Sequence, residues 1–522
     1  MTAKGYPERD LPRSPAPAGK LLGLDELAAV CRDLRAQGRG VVLCHGCFDL
    51  LHIGHIRYFR QARAMGDVLV VTVSPDRYVD KGPHRPAFDE QLRAEAVGSL
   101  DAVDFVAVNA WPTAEPTLEL LRPDVYVKGS DFKSVEADAT GKLAREAEVC
   151  RELGITLRFT EDMVFSSTNL INRFFSAFSQ EVRDYLRLFR RRYGLGEVLG
   201  VVERMAALDV TVVGDVIMDE YCYCQPLGAA SKSPVLAVRQ ESVDVFAGGV
   251  LAVANHLAGL AGRVRLFSRL GGHDAYRTVI DAALRPNVDA SFRVQVGAPT
   301  LVKRRMIDGA SLTKLFEVYV MDDGPLDPDG EAALIEDVRQ SCRRTDLTVC
   351  ADFGHGAIGP DLRRALAREE AFLAVNTQAN AGNAHMHTIS RYERADMVSL
   401  TERELRLDTR DGHTDLRPLV CAAVERFGSA YVAVTRGRQG ACVCTPGGSF
   451  VAVPALTTSV VDSIGAGDTF FAVAALAARL GAPREIVGFL GNVAGCLAVQ
   501  TVGNRKALDR EEFVAYVTSI LK

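Results

Sequence analysis

Two histidines, His52 and His55, stand where an apolar run, Val41 to Leu43, hands over to a segment with helical spacing, Ile56 to Met65. A helix start offers unpaired backbone N–H groups and a partial positive charge, which suits a phosphate. Two imidazoles added there can donate hydrogen bonds to a phosphoryl group whose charge rearranges during transfer. Gly46 permits a tight turn after the run, and Gly54 lets the backbone approach a ligand. A second constellation lies near the C-terminus, where Gly465, Ala466, Gly467 and Asp468 join a strand-like segment to an alanine-rich helix running to Leu480. Small residues at that helix start leave N–H groups free to surround a phosphoryl group. Asp468, the first acidic residue inside, is placed to take a proton from an attacking hydroxyl. Both sites predict phosphoryl chemistry that works by positioning and electrostatics.

The elements that must hold these residues read as two α/β units. Strand-like runs at 41–43, 67–73, 105–108, 125–127 and 156–159 alternate with helical stretches, which predicts a parallel sheet wrapped by helices. From Asn169 to Leu208 the chain turns helical and charged, with Arg190, Arg191 and Arg192 expected on a solvated face. A second α/β unit begins at Val210, with strand-like runs at 263–267, 347–351, 372–375, 431–435 and 441–444. The expected organisation is a tail over 1–20, a first domain over 21–175, a helical connection over 176–208 and a second domain over 209–522.

Composition narrows the function. At 522 residues the chain exceeds what one core organises, so more than one domain is expected. A net charge of −5 gives no electrostatic case for nucleic acid or an anionic membrane as partner. No apolar run is long enough to span a bilayer, and residues 1–20 lack the apolar core of a signal peptide, so a cytoplasmic protein with a disordered tail is expected. Among the 12 cysteines, Cys44 and Cys47 form a C-x-x-C without a second pair at zinc spacing. Reduced, structural thiols are the reading.

The first half resembles the HxGH nucleotidylyltransferase superfamily, its sugar-phosphate and glycerol-phosphate members above all, over roughly Gly40 to Phe175. Besides the histidine motif, Lys81-Gly-Pro-His-Arg85-Pro, Val127-Lys128-Gly129-Ser130-Asp131 and Phe165-Ser166-Ser167-Thr168-Asn169 match in order and spacing. The resemblance implies a Rossmann-like fold in which His52, His55 and Lys81 are catalytic. Gly46, Phe48, Gly54, Arg85, Lys128, Gly129, Asp131, Ser166, Ser167 and Thr168 would then bind the nucleotide and its phosphates.

The second half resembles the ribokinase/PfkB family of sugar kinases, from about Val210 to Lys522, and implies a ribokinase-like α/β/α sandwich with Asp468 as catalytic base. Gly465, Ala466 and Gly467 would form the anion hole, with Thr435, Gly437 and Gly440 on the nucleotide side. Asp215, Asp219, Gly248, Gly249, Asn255 and Lys303 would face the sugar, and Glu402 would serve Mg2+ through water.

Taken whole, the chain resembles the bifunctional heptose-7-phosphate kinase/heptose-1-phosphate adenylyltransferases, with three departures. The halves are in reversed order, Ala252 replaces an asparagine after Gly-Gly, and Ser399 replaces the asparagine of Asn-x-x-Glu. The resemblance implies an ATP- and Mg2+-dependent sugar-phosphate kinase joined to a transferase that uses ATP or CTP, releases pyrophosphate and forms an NDP-sugar. It also implies a homodimer through the kinase half. The second reading keeps the transferase, acting on a sugar or alditol phosphate, beside a degenerate kinase half that binds sugar or dimerises.

Overall fold

The computed structural model describes residues 19–79, 86–129, 142–160, 178–272, 276–322, 324, 326–383, 386–457 and 460–521. Lys81, Arg85, Asp131, Ser166, Ser167 and Thr168 lie outside the described residues. The chain divides into two units, Met1–Ala177 and Phe178–Lys522.

In the first unit five parallel strands, β1 (Val41–Gly46), β2 (Val68–Val73), β3 (Phe105–Val108), β4 (Val125–Lys128) and β5 (Thr156–Phe159), stand in the order β3-β2-β1-β4-β5. Valine and leucine fill β1 and β2 because helices cover both faces, leaving no side of the sheet for polar residues. Leu43, Val70, Leu118 and Tyr126 form the core on one face. Val42, Leu69, Phe59 and Val127 form it on the other. The chain builds outward from β1 to β3 and then returns to β4. That reversal opens a crevice at the carboxyl ends of β1 and β4, where doubly wound sheets hold their ligands.

The second unit is built on a nine-stranded sheet and a four-stranded one. β6 (Asp209–Gly214) is followed by a hairpin, β7 (Val216–Ala229) and β8 (Leu236–Gly249), and then by β9 (Arg263–Gly271) and β10 (Val288–Gln295). After β11 (Val302–Asp308) and β12 (Lys314–Val320) come β13 (Leu347–Asp352), β14 (Phe372–Thr377), β15 (Met397–Thr401), β16 (Tyr431–Thr435), β17 (Ala441–Thr445) and β18 (Ser449–Val453). The large sheet runs β10-β9-β6-β13-β14-β15-β16-β17-β18, parallel as far as β16 and antiparallel after it. The other four strands make a separate sheet, β12-β11-β7-β8, which forms a lid. Strand alternation sorts the lid's residues. Asp219, Lys303 and Arg305 share its inner face, while Cys222, Val243, Met306, Phe316 and Val318 share the outer one.

Helix Ala466–Arg479 is buried from Thr469 to Ala478, and its alanines let helices Val250–Ala258 and Arg484–Ala498 pack closely. Helices Gln180–Arg192 and Leu195–Met205, expected as a connection, bury Val182, Leu186, Phe189, Val198, Val202 and Met205 in this unit's core. Phe189 stacks on Phe489 at 4.4 Å, and each such large buried side chain contributes about 1.5–3 kcal/mol. The arginines nearby are not a purely solvated face. Arg190 donates to the Ile520 carbonyl at 2.6 Å and Arg192 pairs with Glu485 at 2.9 Å. No helix among the described residues is long and apolar enough to cross a membrane.

Candidate active sites

In the first unit β1 ends at Gly46, and the chain turns through Phe48 (φ +49°) and Leu50 (φ +50°), a backbone region that costs non-glycine residues about 1–3 kcal/mol each. Packing holds the turn in place. The Phe48 ring covers Gly46, where a Cβ would lie 3.0 Å from the ring, and packs on Phe59 at 4.9 Å. Arg93, fully buried, donates to the carbonyls of Cys47, Ser74 and Phe88 and pairs with Asp76. Arg93 carries no sequence signal for this role.

Beyond the turn, His52 caps helix Ile53–Arg63 by accepting the Gly54 N–H on Nδ1 at 3.0 Å. Its proton then resides on Nε2, a buried donor with no hydrogen-bond partner among the described residues. Burial also holds the His52 imidazole below its usual pKa, which favours the neutral ring. The His52 and His55 rings stack at 4.0 Å, and Phe48 meets His55 edge-on at 5.7 Å. Phe48 and Gly46 therefore shape the histidine pocket. Tyr58, on the same helix, donates to the Val127 carbonyl at 2.7 Å and ties the histidines to the end of β4. There Lys128 pairs with the buried Glu146 at 2.7 Å, and beside Gly129 no described residue would meet a Cβ. Cys44 on β1 and Cys47 in the turn are buried thiols, Cys44 being pushed up to about 12 by burial.

In the second unit a cleft of about 890 Å3 opens at the carboxyl ends of the parallel strands. Gly465, at φ +82°, starts helix Ala466–Arg479; a side chain there would strike Asn504 Oδ1 at 2.3 Å. The amides of Ala466, Gly467 and Asp468 have no intrahelical acceptor and stand at the cleft wall. Asp468 is half-buried, and its carboxyl is pushed up to about 7, first by burial and then by the charge of Asp219, against the opposing pull of Lys303.

The lid supplies the facing wall. Asp219 pairs with Arg305 and lies 3.4 Å from Asn504 Nδ2. Lys303 is Asp219's register partner on the neighbouring strand, and burial lowers its ammonium pKa. Gly248 has a steric duty, since a Cβ there would lie 2.1 Å from Asp219 Oδ2. Gly249 takes φ +56° at the hinge into helix Val250–Ala258 and lines the cleft. Across the cleft stand Thr435, Gly437 and Gly440 with Arg403, Arg436 and Arg438, three cations to which sequence reasoning gave no role. Gly440 is obligatory, because its φ is +82° and a Cβ would sit 2.1 Å from the Val453 carbonyl.

Two expectations need correction, and the surroundings of a third residue are more crowded than its motif suggests. Asn255 does not face the cleft: its amide donates to the Ala283 carbonyl at 2.9 Å and accepts from Arg285 N at 3.0 Å, fastening one helix to the next. Asp215 accepts from the backbone amides of Phe353, His355 and Ala357 at 2.9–3.2 Å, so it shapes that turn instead of presenting a carboxylate to sugar. Glu402 lines the cleft, but Arg406 holds one oxygen and Arg436 the other, at 2.8–3.0 Å. Hydrogen bonds from Arg436 and Arg406 keep its carboxyl below the usual value. With both oxygens held by guanidiniums, Glu402 has none to offer Mg2+ directly, which is consistent with the water-mediated role expected of it.

Two further residues set the geometry. His256, buried and lowered to about 4 first by burial and then by Arg285, accepts the Leu508 N–H on Nδ1 at 3.2 Å. Its Nε2 then donates to Thr469 Oγ1 at 3.1 Å, and Thr469 passes a bond to the Gly465 carbonyl at 2.9 Å. Asp462 accepts from Tyr221 and Lys314 and from the amides of Ile464 and Gly503. Burial alone would raise its carboxyl, but those bonds leave it below the usual range.

A parallel sheet, a four-stranded lid and an aspartate at the head of an anion-binding helix define a carbohydrate kinase of ribokinase-like fold; the unit before it is a Rossmann-like nucleotidylyltransferase fold. Residues 207–510 match the pfkB family of carbohydrate kinases, more than half of the chain, and the chain belongs to that family. Residues 43–173 match the cytidylyltransferase-like family. Among curated relatives, bifunctional protein HldE of Azotobacter vinelandii is 46% identical over 114 residues, 22% of this chain and 24% of its own. The HldE of Geobacter metallireducens is 36% identical over 164 residues, 31% of this chain and 32% of its own. These matches thus span about a quarter to a third of the relatives' length. Phosphofructokinase-2 from Escherichia coli, solved with potassium, aligns with 60% of this chain and 99% of its own at 18% identity and a TM-score of 0.49.

Proposed function

We propose that the chain makes an activated sugar in two steps, a phosphorylation in the second unit and a nucleotidyl transfer in the first. The observation that carries the kinase step is the placement of Asp468. Its carboxylate, with a proton affinity raised toward neutrality, stands beside three helix-start amides and opposite the Asp219, Lys303 and Arg305 wall. Asp468 takes the proton of the acceptor hydroxyl, the oxygen attacks the γ-phosphorus of ATP, and the amides of Ala466, Gly467 and Asp468 stabilise the phosphoryl oxygens. Mg2+ bound to the nucleotide phosphates would offset their charge; Glu402 does not offer it a direct ligand. Arg403, Arg436 and Arg438 supply cationic charge on that side.

In the first unit the sugar 1-phosphate attacks the α-phosphorus of ATP or CTP, releasing pyrophosphate and forming an NDP-sugar of the ADP-heptose type. His52 Nε2 and His55 lie at the crevice where a phosphoryl group meets the helix start, and Lys128 stands at the neighbouring strand end. Lys81 and Arg85 complete the set in this reading. The matches to bifunctional HldE proteins support it.

The lid's outer face supports a homodimer through the kinase unit. Val243, Phe316, Val318 and Val320 are exposed there, an apolar surface that a second copy would cover. A product screen tests the whole reading: incubation with ATP or CTP and a panel of heptose and hexose phosphates, followed by mass spectrometry. ADP is expected from the kinase acceptor, and pyrophosphate with an NDP-sugar from a sugar 1-phosphate; where the acceptor enters already phosphorylated, a separate phosphatase must remove its first phosphate between the two steps. Absence of both ADP and pyrophosphate with every acceptor would overturn it.

A further inference from the structure

The Asp462 carboxylate gathers four donors from four separate segments. Tyr221 Oη on β7 lies at 2.7 Å and Lys314 Nζ on β12 at 2.8 Å, both from the lid. The Ile464 amide at 3.2 Å belongs to the turn that delivers Gly465 and the anion hole. The Gly503 amide at 3.1 Å belongs to the loop whose next residue, Asn504, lies beside both Asp219 and Gly465. An apolar seam runs alongside: Tyr221, Phe246 and Ile307 from the lid pack with Ile464 and Val502. A side chain at Gly503 would be crowded and strained, since φ is +54° and a Cβ would lie 3.1 Å from the Phe246 ring. Arg505 continues the seam by pairing with Asp244 on β8.

We propose that Asp462 is a positioning residue for phosphoryl transfer, latching the lid through Lys314 and Tyr221 while fixing the anion-hole turn and the Asn504 loop with the same carboxylate. Lid closure and anion-hole geometry are thereby one event. When Lys314 leaves, one oxygen of Asp462 loses its charged donor, and the Ile464 amide it also holds is free to shift. The wall that carries Asp219 then separates from the helix that carries Asp468. Lys314 touches neither reacting group, so its effect must travel through Asp462.

The inference rests on the kinase reading, and its test separates the two. Sugar-dependent ADP formation is measured in the full chain for wild type, Lys314→Met, Asp462→Asn and the double variant. Amide hydrogen exchange is followed over residues 460–468 and 501–505 in the same proteins. Each single variant is expected to lower kcat/KM by about 10- to 100-fold, with the double variant no worse than the poorer single. Lys314→Arg should restore the rate to within about threefold of wild type, and Lys314→Met should speed exchange in both segments. Additive losses, or unchanged exchange in Lys314→Met, would overturn the latch. If wild type forms no ADP, the kinase reading fails, while the exchange comparison still decides whether Lys314 holds the two segments.

Discussion

Lys303 and Asp219 stand opposite each other in the β11–β7 ladder, and they act in opposite senses on Asp468, the lysine lowering its proton affinity and the aspartate raising it. The balance, together with burial, leaves the Asp468 carboxyl at about 7. A lid strand thus tunes a group on a helix of the main sheet.

Asp468 must be deprotonated to act as base, so kinase kcat should rise with pH through about 7 and level off above it. Lys303→Met removes the charge that opposes the shift and should move the midpoint upward. Steady-state rates between pH 5.5 and 9 check both. Stability carries the opposite sign. A folded-state pKa above the unfolded value favours the fold fully below the unfolded pKa, and the advantage is lost as pH rises through about 7. Asp468→Asn should therefore abolish phosphoryl transfer yet raise Tm at pH 8 by a few degrees, roughly the effect of a 1 kcal/mol change.

Gly248→Ala would drive a methyl group into Asp219 Oδ2. The expected result is an acceptor KM raised about tenfold or more and a stability loss of about 1–3 kcal/mol, with nucleotide affinity unchanged. Calorimetry with ATP alone and kinetics with the sugar acceptor separate the two effects.

Glu402→Gln should raise the KM for ATP severalfold by loosening Arg436, without changing the concentration of Mg2+ at half-maximal rate. A matching rise in the Mg2+ requirement would instead make Glu402 a metal-linked residue.

His52→Ala removes the buried Nε2 donor and the N-cap. Nucleotidyl transfer should fall about 10²- to 10³-fold, as for loss of one oxyanion-type donor, while sugar-dependent ADP formation stays at the wild-type rate. Pyrophosphate release from a sugar 1-phosphate reports the first and coupled ADP detection the second.

The parallel strands were legible in the chain because runs such as Val68–Val73 are apolar throughout, the mark of a sheet covered on both faces. The histidine and Gly-Ala-Gly-Asp motifs were legible because their chemistry is local, a turn and a helix start. Asn255, Asp215 and Glu402 were not, because what each does depends on a partner that folding brings from elsewhere. Those partners are a helix end at Ala283–Arg285, a turn at 353–357 and an arginine from the loop after β16. Asp462 stands three residues before Gly465, yet its role depends on Lys314 from the lid. The helical stretch before Leu208 did carry a signal: Val182, Leu186 and Phe189 recur at helical spacing, which marks a buried face and not a mere connection.

The central claim is that each unit holds its own phosphoryl-transfer site, and one crossed assay tests it most directly. Asp468→Asn and His52→Ala full-length chains are each given two reactions, sugar phosphate with ATP for ADP, and sugar 1-phosphate with an NTP for pyrophosphate. The account predicts that Asp468→Asn loses ADP formation and keeps pyrophosphate release, and that His52→Ala does the reverse. If either variant loses both activities, or Asp468→Asn still forms ADP at the wild-type rate, two independent sites do not exist.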